Sequence, residues 1–161
     1  MNYWKIGETV DLVIRRAMKS DAEAFAELAR VFSRSNPSIS ANAAEDLDAT
    51  GPMLGVLLAT PIAKVMVGEL DGSTVAIMVV VKIPSLVHGG RNVLFIELLV
   101  VAEKYRRQGI GAAMVNYALE MASEAGAYKV LLVTRSDNSP ARALYDKLGF
   151  EVNGIALALY L

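Results

Sequence analysis

An apolar run broken by one carboxylate, VLFIELLVV at 93–101, leads through EKYRRQ into GIGAAM. This junction constrains the fold more than any other stretch. The run predicts a buried strand, and the glycines predict a tight turn into a helix. Ile110, Met114, Tyr117, Ala118 and Met121 then recur at helical spacing until Gly126, a C-terminal cap. A helix start leaves several backbone N–H groups without partners and carries the positive end of the macrodipole. Without side chains at Gly109 and Gly111, a bulky anion can approach those donors, and Arg106 and Arg107 add positive charge. The segment reads as a pyrophosphate cradle. It fits neither familiar nucleotide fingerprint: no Lys-Ser/Thr follows either glycine, and Met114 stands where a dinucleotide site needs a third glycine. Taken alone, a plain strand-to-helix turn with solvated arginines explains it as well.

The rest of the chain supplies the context. Residues 11–18 read as a strand, and Asp21-Ala22 opens a helix with Phe25, Leu28, Ala29 and Phe32 on its buried face. Residues 41–59 suggest a second helix broken at Gly51-Pro52, and 64–70 and 74–83 two strands across the hairpin signal Asp71-Gly72. After the loop PSLVHGGRN come the 93–101 strand, the helix from Ile110, and a short strand at 130–134. Ser139-Pro140 signals a cap and first turn; Ala141, Leu144, Tyr145 and Leu148 share a face, Gly149 closes the helix, and Phe150 onward reads as strand. The expected fold is an α/β (α+β) mixed sheet, an antiparallel meander followed by crossover units.

Composition narrows the function classes. The 161 residues make one domain the economical expectation, with no internal repeat or linker. A net charge of −1 argues against a nucleic-acid footprint. The absence of cysteine removes disulfides, thiolate nucleophiles and Cys-based metal sites. No secretory signal or membrane span is visible, so a cytoplasmic protein is expected.

Arg106, Gly109 and Gly111, within VVAEKYRRQGIGAAM, are followed by Asn138, Ala141, Tyr145, Gly149 and Phe150 within NSPARALYDKLGFE. Together and in this order, over residues 93–152, these motifs resemble the GCN5-related N-acetyltransferase (GNAT) superfamily. The resemblance implies coenzyme A in a V-shaped gap between splayed parallel strands. The backbone of Leu99, Val100 and Val101 would then pair with the pantetheine arm. The amides of Arg106, Arg107, Gln108, Gly109, Ile110, Gly111 and Ala112 would hold the pyrophosphate, with Asn138 and Ala141 on the far side. No metal is implied. It implies transfer of the acetyl group of acetyl-CoA to a primary amine of a small molecule or peptide. Relatives often dimerise, so a homodimer is one implied state. The chain ends eleven residues after Phe150, which leaves room for a partner subunit to complete one wall of the acceptor site.

Acetyl transfer needs a neutral amine, a donor for the thioester oxygen and a proton for the departing sulfur. Glu97 has four apolar residues on each side, a costly place for a carboxylate unless it is paired or used. Burial there raises a pKa, which suits a general base; a neighbouring Lys or Arg, or a solvated sheet face, is the structural alternative. Tyr145 resembles the family's sulfur-protonating tyrosine, or serves the core. The amide of Val100 or Val101 is the expected oxyanion donor. His88 has no companion ligands and reads as a solvated or loop-packing residue, with the border of the acceptor pocket as its other reading, and Glu45, Asp46 and Asp48 read as a solvated helix face ahead of an attraction for a cationic acceptor. A module that binds acyl-CoA without turnover is the competing function.

Overall fold

In Ser73–Ile83, STVAIMVVVKI, six consecutive residues are buried. Such a strand lies in mid-sheet, with a covering layer on each face. The computed structural model describes residues 2–6, 10–34 and 50–159 and places it there. Its elements are β1 (Asn2–Ile6), β2 (Val10–Arg16), α1 (Ala22–Arg34), α2 (Thr50–Ala59), β3 (Ala63–Leu70), β4 (Ser73–Ile83), β5 (Val93–Val101), α3 (Ile110–Glu124), β6 (Lys129–Leu132) and α4 (Ser139–Lys147). The sheet runs β1 to β6 in chain order. Pairings are antiparallel as far as β5, and β5–β6 is parallel. The expected mixed sheet, a meander followed by a crossover, is the observed one.

One face packs Leu12, Ile14, Met78, Val80, Leu94 and Ile96 under Ile110, Met114, Val115 and Ala118 of α3. The other packs Val65, Val67, Ile77, Val79 and Val100 under Phe25 and Leu28 of α1 and Leu54 of α2. Each large side chain buried in this way contributes roughly 1.5–3 kcal/mol. The Asp71-Gly72 turn has positive φ at both residues (47° and 75°), as a two-residue hairpin requires. Helices α3 and α4 both end in Schellman caps. Ala127 N–H bonds the Ala122 carbonyl past Gly126, and Phe150 N–H bonds the Tyr145 carbonyl past Gly149.

Four expectations are corrected. A strand precedes the first expected one: NYWKI forms β1 by pairing with β2. Gly51-Pro52, expected inside a longer helix, lies in the first turn of α2, where proline's missing N–H costs nothing. Residues 41–49, with Glu45, Asp46 and Asp48, lie outside the described residues. Asn138, not Ser139, caps α4, its side-chain oxygen accepting from Ala141 N–H at 3.4 Å. Finally, residues 151–159 form no strand: Val152, Ile155, Leu157 and Leu159 are 86–93% exposed. Their apolar pattern suits a strand, but a strand exists only against a partner, and β6 bonds none on its outer edge among the described residues.

Three elements are tied together by charge. Arg15 of β2 grips Asp21 with two nitrogens, each at 2.9 Å, and reaches Glu69 of β3 with Nε at 2.9 Å. Asp21 also accepts from Met18 N–H at 2.7 Å, which fixes the entry to α1. The Arg15 hydrogen bonds hold the Asp21 carboxyl below its ordinary pKa.

Candidate functional site

Glu97 owes its position to a bulge. Val79 pairs with Leu98 while Val80 pairs with Ile96, so Glu97 is an extra residue without a ladder partner. Before the bulge, Leu94 and Ile96 face α3; after it, Leu98 and Val100 face α1 and α2. The expected buried mid-strand carboxylate is thereby corrected. Glu97 is solvent-accessible and opens into a cleft of about 270 Å³ on the α1–α2 side. The surrounding carbon still desolvates the carboxyl and pushes its pKa up. Among the described residues no Lys or Arg pairs with it.

The opposite edge of β5 opens just beyond Glu97. β6 accompanies β5 from Val93 to Ile96 and stops at Leu132, so the two parallel strands part there. Antiparallel ladders send alternate residues to opposite edges. Ala102 N–H bonds the Val75 carbonyl on the β4 side, which places Val100, opposite Ile77, on that side as well. Leu99 and Val101, opposite Met78 and Ala76, turn their N–H and C=O groups into the gap. The Val101 carbonyl receives Arg106 Nε at 3.2 Å. Of the three backbone positions expected to line the gap, Leu99 and Val101 therefore do so, and Val100 faces β4.

At the end of the gap α3 begins. Gly109 is its N-cap, with φ of 88°, and the first bond inside the helix runs from Ala113 N–H to the Gly109 carbonyl. The N–H groups of Ile110, Gly111 and Ala112 are thus left without helical partners. Arg106, Arg107 and Gln108 are exposed beside them, Arg107 itself at φ of 64°. A Cβ on Gly111 would stand 3.3 Å from the tip of the Leu144 side chain of α4, tighter than ordinary contact. On α4, Ala141 is half-buried and Tyr145 packs against Phe150, ring centroids 5.8 Å apart. Burial pushes the Tyr145 pKa up, yet its oxygen is not sealed away.

His88 stacks on Tyr128 with centroids 4.0 Å apart, away from the cleft. Sequence reasoning missed the cleft's outer wall of Thr50, Met53 and Leu57 on α2. The available signal was α2 itself, TGPMLGVLLA, apolar all round.

A family model for acetyltransferases (GNAT family) matches residues 22–150. The chain belongs to the acetyltransferase (GNAT) family. It is 41% identical over 73 residues to the probable glucosamine 6-phosphate N-acetyltransferase 2 of Oryza sativa subsp. japonica, covering 45% of this chain and 42% of that one. It is 35% identical over 99 residues to an N-alpha-acetyltransferase of Sulfurisphaera tokodaii, covering 55% and 57%. The matches thus span less than two thirds of these curated GNAT relatives. Among solved structures, an acetyltransferase of Trypanosoma brucei superposes with a TM-score of 0.72 at 27% identity, over 94% of this chain and 100% of that one. An aminoglycoside N-acetyltransferase solved with CoA shares the fold, with a TM-score of 0.77 at 16% identity over 98% and 99%.

Proposed function

We propose that this chain is an acetyl-CoA-dependent N-acetyltransferase that passes the acetyl group directly from the thioester to a primary amine. The observation that carries the reading is the bulge. It sets Glu97 on the cleft side of β5 just where the opposite edge opens toward the unpartnered amides of α3. The residues fit the co-substrate. The Leu99 carbonyl and the Val101 N–H are open to an amide-bearing arm, the Val101 carbonyl being held by Arg106, and the N–H groups at Gly109 to Ala112, with Arg106 to Gln108 beside them, suit a pyrophosphate. Asn138 and Ala141 flank the arm from α4.

Acetyl-CoA, when bound, supplies the activated acyl carbon and a thiol leaving group. Glu97 takes the amine proton, directly or through one water, as the nitrogen attacks. The N–H of Leu99, turned into the gap and not needed by the arm, stabilises charge on the thioester oxygen. Tyr145 keeps its proton at neutral pH and donates it to the leaving sulfur. Holding amine and thioester together contributes most, roughly 7–11 kcal/mol of barrier lowering.

The test is thiol release from acetyl-CoA with a panel of primary amines, beside calorimetry of acetyl-CoA binding. Turnover with any amine supports the enzyme. Binding without turnover across the panel selects the non-catalytic module, and no heat at millimolar acetyl-CoA removes both. Gly111→Val is expected to weaken acetyl-CoA binding at least about tenfold, about 1.4 kcal/mol, because the added carbons collide with Leu144 and crowd the first-turn amides. Calorimetry reads the loss, and unchanged affinity would separate the helix start from the pyrophosphate.

A further inference from the structure

The cleft beside Glu97 has an unusual lining for a site that receives an amine. Phe25 and Ala29 of α1, Met53, Leu54 and Leu57 of α2, Ile77 and Val79 of β4 and Leu98 of β5 are apolar. Thr50 is the only uncharged polar side chain, and Glu97 the only ionisable one, among the described residues that line it. Met53 is 54% exposed although it faces this cleft, an uncovered flexible thioether of the kind that adapts to apolar ligands.

We infer that the acceptor is a small monocationic primary amine bearing an apolar alkyl or aryl group, an inference that rests on the function proposed above. One carboxylate among the described residues of a carbon-walled cleft balances one ammonium. A polyamine would bring a second cation with no partner among those residues, which is costly to desolvate. A sugar phosphate needs a cationic counterpart, and no Lys or Arg lines the cleft among the described residues. A polyhydroxylated amine needs hydrogen-bond partners that these side chains do not offer. Size points the same way. At about 270 Å³ the cleft falls just below the roughly 300–1,000 Å³ of sites for drug-sized ligands, enough for an amine with a short chain or one ring.

Thiol release measured with ethylamine, butylamine, hexylamine, phenethylamine, spermidine and glucosamine 6-phosphate decides the matter. kcat/KM is expected to rise about fourfold per methylene along the alkyl series, the worth of burying one such group, with phenethylamine near the top. Spermidine and glucosamine 6-phosphate should lie at least about a hundredfold below hexylamine. Met53→Glu, at an exposed position, should narrow that gap by lowering hexylamine and raising spermidine. A flat alkyl series, or preference for the polyamine or the sugar phosphate, overturns the acceptor assignment while leaving an acetyltransferase. Silence with every amine overturns the enzyme reading and this inference with it.

Discussion

Glu97→Gln lowers kcat by about 10²–10⁴-fold, the range a positioned general base supplies, and leaves acetyl-CoA affinity unchanged. Glutamine fills the same volume at the bulge but cannot take a proton from the amine. The pH profile makes the assignment specific. Desolvation raises the Glu97 pKa, so the base is lost earlier as pH falls than an ordinary glutamate would be. The wild-type kcat/KM profile should therefore carry an acid limb that Glu97→Gln abolishes. Single-turnover acetyl transfer, measured across pH beside calorimetry of acetyl-CoA, provides both readings. Wild-type turnover in the variant, or an intact acid limb, excludes Glu97 as the base.

The second large effect concerns stability. Asp21→Asn is expected to cost about 3 kcal/mol at pH 7, since it takes the charge out of a largely buried two-nitrogen pair and leaves Arg15 with Glu69 alone. The side chains of Arg15 and Asp21 are 16% and 7% exposed, and Asp21 also caps the entry to α1. For a domain of this size that is a fall in Tm of about 10 °C. The pH dependence has a definite sign. Asp21 has a depressed pKa when folded, so its contribution is complete above its unfolded value of about 3.9 and fades as pH falls through the lower folded value. Urea unfolding at pH 7, 5 and 3 should show a constant gap between wild type and variant at the first two and a smaller one at pH 3. A gap under 1 kcal/mol at pH 7 would reduce the pair to a surface contact.

What could be read from the sequence was local. The 93–101 strand, the glycine turn, α3 and α4 with their Gly126 and Gly149 caps, and the Asp71-Gly72 hairpin each have their cause within a few residues, and the structure places them as expected. The bulge was hidden because β5 is apolar on both sides of Glu97: with no polar face, a shift in alternation leaves no trace. The Arg15–Asp21–Glu69 cluster was hidden because its members lie on different elements that only the folded sheet brings together. β1 exists through its pairing with β2 more than through its own pattern. The reverse holds for residues 151–159, where strand-like residues found no neighbour. The acceptor cleft needed α1, α2, β4 and β5 at once, and no linear pattern announces such a meeting.

The spare residue of β5 has a consequence for how chemistry and architecture are divided. With Glu97 excised, Ile96 and Leu98 would stand directly opposite Val80 and Val79, and every pairing of that ladder would survive in an unbroken register. The sheet has no geometric need of this position. An uninterrupted strand would keep the same pairs, which leaves the extra residue free for the general-base role proposed for Glu97.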